Sequence, residues 1–315
     1  MPSRSDTSIT LLVIPIFRNE ETIQPLCQAI EKLESDLNMM SARLIVNFVI
    51  DGSPDRSKEI LLTEKANKKK SNWNVISLSR NFGQTNAILA GLSSGQADNY
   101  VCMSADLQDP VSLIPEMIKQ YRLGSKIVIA ARSSREDSLP ARITSRIAYF
   151  ILRREIDGIP KGGFDFFLLD ARAKNQILNM KGMKRFIQGD IVSIGFPVSV
   201  IPYHRSRRAG GVSAYSFKAR LGIFVDFMID ISQKPLRVVT FVGISLSILG
   251  FIAAFLALIS YFRGDIVFRG FTPIYLGILI FGGIQLISIG ILGEYVMRIY
   301  DMSRERPAWI IEEIV

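Results

Sequence analysis

The stretch Val101-Cys-Met-Ser-Ala-Asp-Leu-Gln-Asp-Pro110 decides how the chain reads. A short run over 99–103 delivers one carboxylate, Asp106, then a second, Asp109, and a proline that stops the strand. Carboxylates just past the end of a buried parallel strand lie in the crevice where open α/β sheets bind ligands. Oxygen donors placed there suit a hard cation such as Mg²⁺ or Mn²⁺, which clamps a diphosphate. Taken alone, the same residues read equally well as an Asp-rich turn capping a helix that starts near Val111.

Working outward from that stretch, three upstream segments have the same design. Thr10-Leu-Leu-Val-Ile-Pro-Ile-Phe17 is a continuous apolar run, as expected of a strand covered on both faces. It is followed by Arg18-Asn19-Glu20-Glu21 and a helix whose apolar residues Ile23, Leu26, Ile30, Leu33 and Leu37 step by three and four. Residues 44–50 form the next strand, ending in Asp51-Gly52-Ser53-Pro54-Asp55, and 73–78 a third, closing on Arg80-Asn81-Phe82-Gly83 before a helix over 84–92. Beyond Pro110, 113–121 reads as helix and 127–131 as strand, ending at Arg132. This alternation implies right-handed βαβ crossovers and a parallel sheet. The polar clusters that end the strands then meet along one edge, as in a nucleotide site. No Gly-x-Gly-x-x-Gly or P-loop follows the first strand, which argues against dinucleotide oxidoreductases and P-loop NTPases.

The second half changes character. Of the 315 residues 48% are hydrophobic, and the excess is concentrated in 238–262 and 270–293, which carry no charged residue. Each is long enough to cross a ~30 Å hydrocarbon core, so the sequence predicts two transmembrane helices. The linker 263–269 is short enough to force a hairpin. Positive charge before the first span (Lys234, Arg237) and after the second (Arg298, Arg304, Arg306) puts the large domain in the cytoplasm. The apolar run at 9–17 reads as a strand, not a signal peptide.

With spans present, the net charge of +9 points to anionic lipid headgroups and phosphorylated substrates and away from nucleic acid. Cys27 and Cys102 are the only cysteines, which excludes a disulfide framework, and the single His204 cannot build a zinc site with them.

Four further features bear on chemistry. The segment 142–154 is a basic amphipathic helix that includes Arg146; it either packs on the sheet or lies on the membrane. Asp165 sits in the aromatic run 164–169, as hydrogen-bonded structure or as a functional carboxylate held in a poorly solvated place. The basic loop 203–215 interleaves Arg205 and Arg208 with glycines and Ser213, and reads as a solvated charge run or as donors for an anionic phosphate. An amphipathic helix over 217–231 leads directly to the first span and suits the membrane interface.

Laid out this way, the chain resembles the membrane-anchored family 2 glycosyltransferases of GT-A fold. Within that family it is most similar to the polyprenyl-phosphate sugar transferases: bactoprenol glucosyltransferases of the GtrB type and, more distantly, dolichol-phosphate mannose synthases. The resemblance rests on Ile14-Pro-Ile-Phe-Arg-Asn-Glu20, Asp51-Gly-Ser53, Ser79-Arg-Asn-Phe-Gly83, Ala105-Asp-Leu-Gln-Asp-Pro110, the Arg205 to Tyr215 loop and Phe281-Gly-Gly-Ile-Gln-Leu-Ile-Ser-Ile-Gly-Ile-Leu-Gly-Glu-Tyr295. It implies a Rossmann-like GT-A domain over 1–215, a juxtamembrane amphipathic helix over 216–235, a transmembrane hairpin over 236–297 and a cytoplasmic tail over 298–315.

The function implied is inverting, metal-assisted transfer of glucose or a related hexose from a nucleotide sugar, a UDP-sugar favoured, to undecaprenyl or another polyprenyl phosphate. The product would serve cell-envelope glycan synthesis at the inner membrane. Pro15, Glu20, Asp51, Ser53 and Arg80 are implied to shape the nucleotide-sugar pocket. Asp106 and Gln108 are implied to hold Mg²⁺ or Mn²⁺ on the diphosphate. Arg132, Arg146, Arg205, Arg208 and Ser213 are implied to meet the lipid phosphate, and Asp165 matches the acid of the family's Asp-Phe-Arg segment. The bilayer is a partner, nucleic acid is not, and the resemblance leaves room for a homo-oligomer. Two departures stand out: Ser104 replaces the usual Asp, and Phe167 replaces the Arg of Asp-Phe-Arg. Competing readings are a processive polysaccharide synthase, which lacks its Gln-x-x-Arg-Trp motif here, and a degenerate transferase that only binds lipid phosphate.

Overall fold

The computed structural model describes residues 7–132, 160, 164–180, 185–204, 239, 272–303 and 307–315, together with scattered positions across 241–263. The chain divides into two compact units, one of Met1–Ala214 with Arg306–Val315 and one of Tyr215–Glu305.

In the first unit, the strands β1 (Ser8–Ile16), β2 (Ala42–Ile50), β3 (Trp73–Leu78) and β4 (Asn99–Cys102) pair in parallel in the order β4-β1-β2-β3. Helices α1 (Ile23–Met39), α2 (Ser57–Asn67) and α3 (Gln84–Ser93) make the crossovers. The expected strands and helices over this half are all present. Helix α2, which buries only Ser57 and Leu61, has almost no apolar stripe for a sequence to display.

Alternate residues of β1 feed two apolar layers. Leu12, Ile14 and Ile16 pack with the α1 stripe and with α4 (Ile114–Arg122), whereas Leu11 and Val13 pack with α3. Burial on both faces explains why the β1 residues from Leu11 to Ile16 are apolar at every position rather than at every second one. Gly91 of α3 lies where a Cβ would run into Val13 and sit 2.8 Å from Val49, so only glycine lets this helix approach the sheet so closely. Buried Asn47 of β2 fastens the same helix, donating from Nδ2 to the carbonyl oxygens of Gly91 (2.9 Å) and Ser94 (3.1 Å).

After α4 the sheet departs from a simple parallel order. Strand β5 (Ile127–Arg132) does not pair with β4; β6 (Phe166–Asp170) is inserted between them, antiparallel to both. Helices α5 (Ala171–Asn179) and α6 (Ile187–Ser193) follow, and β7 (Val198–Tyr203) pairs in parallel with β5. Among the described residues the sheet has eight strands in the order β7-β5-β6-β4-β1-β2-β3-β8.

The last strand, β8 (Ile311–Ile314), revises the expectation of a C-terminal tail over 298–315. It runs antiparallel to β3, with Ile76 opposite Ile314 and Leu78 opposite Ile311. Its pairing caps the β3 edge, whose backbone groups would otherwise be unpaired. Lys58 and Glu313 form an ion pair across it, and Trp309 and Ile311 pack on the α3 layer.

In the second unit the helix Thr272–Ser303 has 32 residues. Its window Ile280–Met297 has a mean hydropathy of 1.6 and none of it is buried, so it is long and apolar enough to cross a membrane. The helix starts near the expected second span and runs ten residues past Gly293. Of the expected first span, helical residues are described within Phe241–Gly250. The expected amphipathic helices at 142–154 and 217–231 lie outside the described residues, as does the linker except for Arg263.

The tight approach of α3 gives a stability prediction with an unusual sign. Gly→Ala within a helix ordinarily gains up to about 1 kcal/mol. Gly91→Ala should instead destabilise by about 1–3 kcal/mol through overpacking against Val13 and Val49. Comparing unfolding midpoints of the full-length wild type and variant checks this, and a variant as stable as wild type would disprove the close contact.

Candidate functional site

Strands β1 to β5 and β7 run one way, so their C-terminal ends share an edge. Because β6 is reversed, its N-terminal end reaches the same edge, and Asp165, the residue before it, arrives without a long loop. The edge therefore collects residues 17–20, 51–55, 79–83 and 103–109 with Arg132, Asp165 and Tyr203.

One part of this edge is built by backbone and short polar groups. Asp51, only 3% exposed, accepts from the N–H of Phe82 at Oδ1 (2.7 Å) and from that of Gly83 at Oδ2 (2.9 Å). Burial raises its pKa, and these two hydrogen bonds oppose the rise without cancelling it. Gly52 makes the contact feasible: its φ is +57°, and a Cβ there would collide with the backbone of Arg80 and Asn81. Arg80 lies over the Phe82 ring, its guanidinium carbon 4.5 Å from the centroid. Each oxygen of Asp51 keeps a lone pair for a further donor.

Ser53 and Glu20 meet in a second tie between the loops after β1 and β2. The Ser53 hydroxyl accepts from the Arg18 N–H (2.7 Å) and donates to Asp55 Oδ1 (2.6 Å). Asp55 accepts from the Glu20 N–H (3.1 Å), while Glu20 accepts from the Arg56 N–H (3.2 Å). Burial alone would raise the Asp55 carboxyl; the hydroxyls of Ser53 and Ser57 and two backbone N–H groups outweigh it and hold the pKa below its ordinary value. Pro15 is half-buried within β1, opposite Val49.

The other part is charged and buried. Asp106, 8% exposed, accepts from the Gln108 N–H (3.2 Å) around Leu107, whose φ of +56° is a left-handed conformation a leucine adopts only at a cost. That turn presents Asp106 and Gln108 together. Asp109, 1% exposed, accepts a hydrogen bond from the Tyr203 hydroxyl. Arg132 lies beside the same hydroxyl and forms an ion pair through Nη2 with Asp165 Oδ2. Gln188 of α6 donates to Asp165 Oδ1 at 2.8 Å. Burial alone would weaken Arg132 as a base; Asp165, Tyr203 and Asp109 reverse this and keep it charged. Burial and the nearby Asp109 charge push the Tyr203 phenol well above its usual pKa, so it stays a proton donor.

The structure thus brings together Asp106, Gln108, Arg132 and Asp165 at one edge, with Asp51, Ser53, Glu20 and Arg80 on the loops beside them. Arg146, Arg205, Arg208 and Ser213 lie outside the described residues. Tyr203 and Gln188 were not anticipated. Tyr203 read as the first residue of a basic loop, and Gln188 carries no motif in sequence; only the β5–β7 register, which sets Arg132 opposite Tyr203, reveals the first of them. Phe167, at the position of the family's Arg, is fully buried with its ring edge-on to Phe164 at 6.1 Å. The guanidinium beside Asp165 comes from Arg132 instead. Among the described residues no group of three or more His, Cys, Asp or Glu could hold a metal ion.

Comparison with known proteins agrees with this architecture. The sequence pattern of glycosyl transferase family 2 matches residues 12–179. The uncharacterized glycosyltransferase YkcC of Bacillus subtilis (strain 168) is 32% identical over 308 residues, covering 96% of this chain and 93% of that one. The bactoprenol glucosyl transferase of Shigella phage SfV is 30% identical over 308 residues, covering 96% and 97%. Among solved structures, glucosyl-3-phosphoglycerate synthase from Mycobacterium tuberculosis in complex with uridine-diphosphate superposes with a TM-score of 0.50 at 13% identity, covering 71% of this chain and 79% of that one. The fold is GT-A, and the chain is a glycosyltransferase belonging to glycosyl transferase family 2.

Proposed function

We propose that this glycosyltransferase transfers glucose or a related hexose from a UDP-sugar to the phosphate of undecaprenyl or another polyprenol, at the cytoplasmic face of the membrane. The observation that carries the reading is that the Asp106–Gln108 turn and the partly buried Arg132–Asp165 pair share one sheet edge. The first is suited to a donor diphosphate, the second to an acceptor anion. Full-length relatives bearing the name bactoprenol glucosyl transferase support the acceptor, and the apolar helix Thr272–Ser303 supports a membrane setting.

The chemistry follows from the substrates. A phosphate monoester is at least singly anionic at neutral pH, so its oxygen attacks the anomeric carbon without a base. The new C–O bond forms as the bond to the nucleotide diphosphate breaks, and a single in-line displacement inverts the anomeric centre. The protein's tasks are to hold two anions in line against their repulsion and to stabilise the leaving group. Arg132 answers the first, joined by Arg205, Arg208 and Ser213 from the loop after β7 and by Arg146. Asp165, fixed by Arg132 and Gln188, orients a sugar hydroxyl or the acceptor. The loops carrying Glu20, Asp51, Ser53 and Arg80 enclose the nucleotide, with Pro15 beneath them.

One carboxylate and one amide in a fixed turn form the sparse donor set that a phosphate-bound Mg²⁺ or Mn²⁺ accepts. Asp106 and Gln108 would hold that cation, which would neutralise charge on the diphosphate. With Ser104 in place of a second acid, the protein contributes little to cation binding until the nucleotide supplies its own oxygens.

The direct test is turnover by the full-length protein in nanodiscs, using a panel of nucleotide sugars with undecaprenyl phosphate and mass detection of the lipid product. No product from any donor would overturn the reading. Arg205→Ala or Arg208→Ala should weaken acceptor use by about 1.5–3 kcal/mol each while leaving the donor KM near wild type. Unaltered acceptor kinetics in both would remove that loop from the site.

The cation gives a separate prediction. Mg²⁺ or Mn²⁺ titrations should show weak binding to the protein alone and strong binding with UDP present. Asp106→Ala should abolish turnover, whereas Ser104→Asp should tighten binding in the absence of nucleotide. Turnover that survives both EDTA and Asp106→Ala would show that no such clamp operates.

A further inference from the structure

Arg132 and Tyr203 end neighbouring parallel strands at the same level of the sheet, paired in register. The Tyr203 hydroxyl has two neighbours: it donates to Asp109 Oδ1 and lies beside the Arg132 guanidinium, with which it interacts electrostatically. Asp109 belongs to the loop whose preceding turn presents Asp106 and Gln108, and Arg132 reaches on to Asp165. One phenol oxygen therefore joins the segment suited to the donor diphosphate to the pair suited to the acceptor. Asp109 and Tyr203 are 1% and 6% exposed, so water neither screens this link nor substitutes for it.

We propose that Tyr203 is a positioning residue that couples donor binding to acceptor binding. The proposal rests on the assignment of donor and acceptor sides above. When the diphosphate draws the Asp106–Asp109 segment into its bound position, Asp109 moves with respect to the Tyr203 hydroxyl, and the phenol in turn adjusts Arg132. Gln188 limits the response on the far side by holding Asp165 Oδ1 at 2.8 Å. The guanidinium then presents its charge to the acceptor phosphate only once the donor is in place. This order prevents a lipid phosphate from occupying the site unproductively.

The test uses the full-length protein in nanodiscs and measures the acceptor KM at sub-saturating and at saturating nucleotide sugar. Saturating donor should lower the wild-type acceptor KM by about 5-fold or more, the lower end of ordinary coupling between sites. Tyr203→Phe keeps the ring and its edge-on contact with Phe166 (6.3 Å between centroids) and removes only the hydroxyl. It should bring the ratio of the two KM values close to one. A purely structural role would lower the unfolding midpoint or kcat without moving that ratio. Asp109→Asn, close to isosteric, provides a second reading from the other end of the link and should reduce the ratio as well, which keeps the test decisive should Tyr203→Phe fail to fold. Wild-type ratios retained in the folded variants would overturn the coupling while leaving the transferase assignment intact, as would a wild-type ratio near one. Absence of wild-type turnover with every donor would overturn both.

Discussion

A guanidinium cannot shed its proton under any condition the protein meets, so burying Arg132 to 9% exposure creates a demand that the surrounding structure has to satisfy. Leaving such a charge unpaired would cost several kcal/mol, on the order of what removing one partner of a buried ion pair costs elsewhere. The demand is met from three directions: Asp165 ahead of β6, Tyr203 at the end of β7, and Asp109 behind the tyrosine. Each answers a problem the others leave open. Asp165 supplies the countercharge, the phenol places a dipole beside the guanidinium without adding charge at neutral pH, and Asp109 gives the phenol its acceptor.

The Asp51 side of the edge is assembled on a different principle. Asp51 spends both oxygens on backbone N–H groups of Phe82 and Gly83, and Asp55 gathers two hydroxyls and two N–H groups. These carboxylates shape loops, and the loops present backbone and side chains to a ligand. Substituting Asp51 would therefore release the 80–83 loop as well as remove a charge, and the two effects would not separate in a single kinetic measurement. On the Arg132 side the functional groups sit at or beside strand ends and depend far less on loop conformation.

The sequence revealed a good deal of this, for identifiable reasons. Strands buried on both faces leave continuous apolar runs, and α1 leaves a stripe at steps of three and four, so β1 to β5 and the helices α1, α3 and α4 were legible. The polar strand ends followed from the parallel direction, which is why the sequence alone places Asp51, Asp106 and Arg132 along one edge. The reversal at β6 was not legible, because Phe166–Asp170 is as apolar as a parallel strand and antiparallel pairing has no separate signature once both faces are buried. Strand β8 escaped because four residues with two glutamates resemble a polar tail until their partner, the open edge of β3, is known. Gln188 and Tyr203 act through contacts 23 and 94 residues distant in sequence, a kind of information that no local pattern carries.

The reversed strand also explains how the two sides fit together. A parallel strand needs a crossover before its neighbour begins, and its functional groups then sit on loops that can move. Strand β6 enters the edge at its first residue, so Asp165, one residue ahead of the ladder to β5, is held there by Arg132 and Gln188. Asp165 is thereby held at a strand end, whereas the turn around Leu107 and the loops tied by Asp51 and Asp55 take their shape from hydrogen bonds to backbone and short side chains. A substitution at the strand ends therefore acts on one contact, while one in the hydrogen-bonded loops reshapes the loop as a whole.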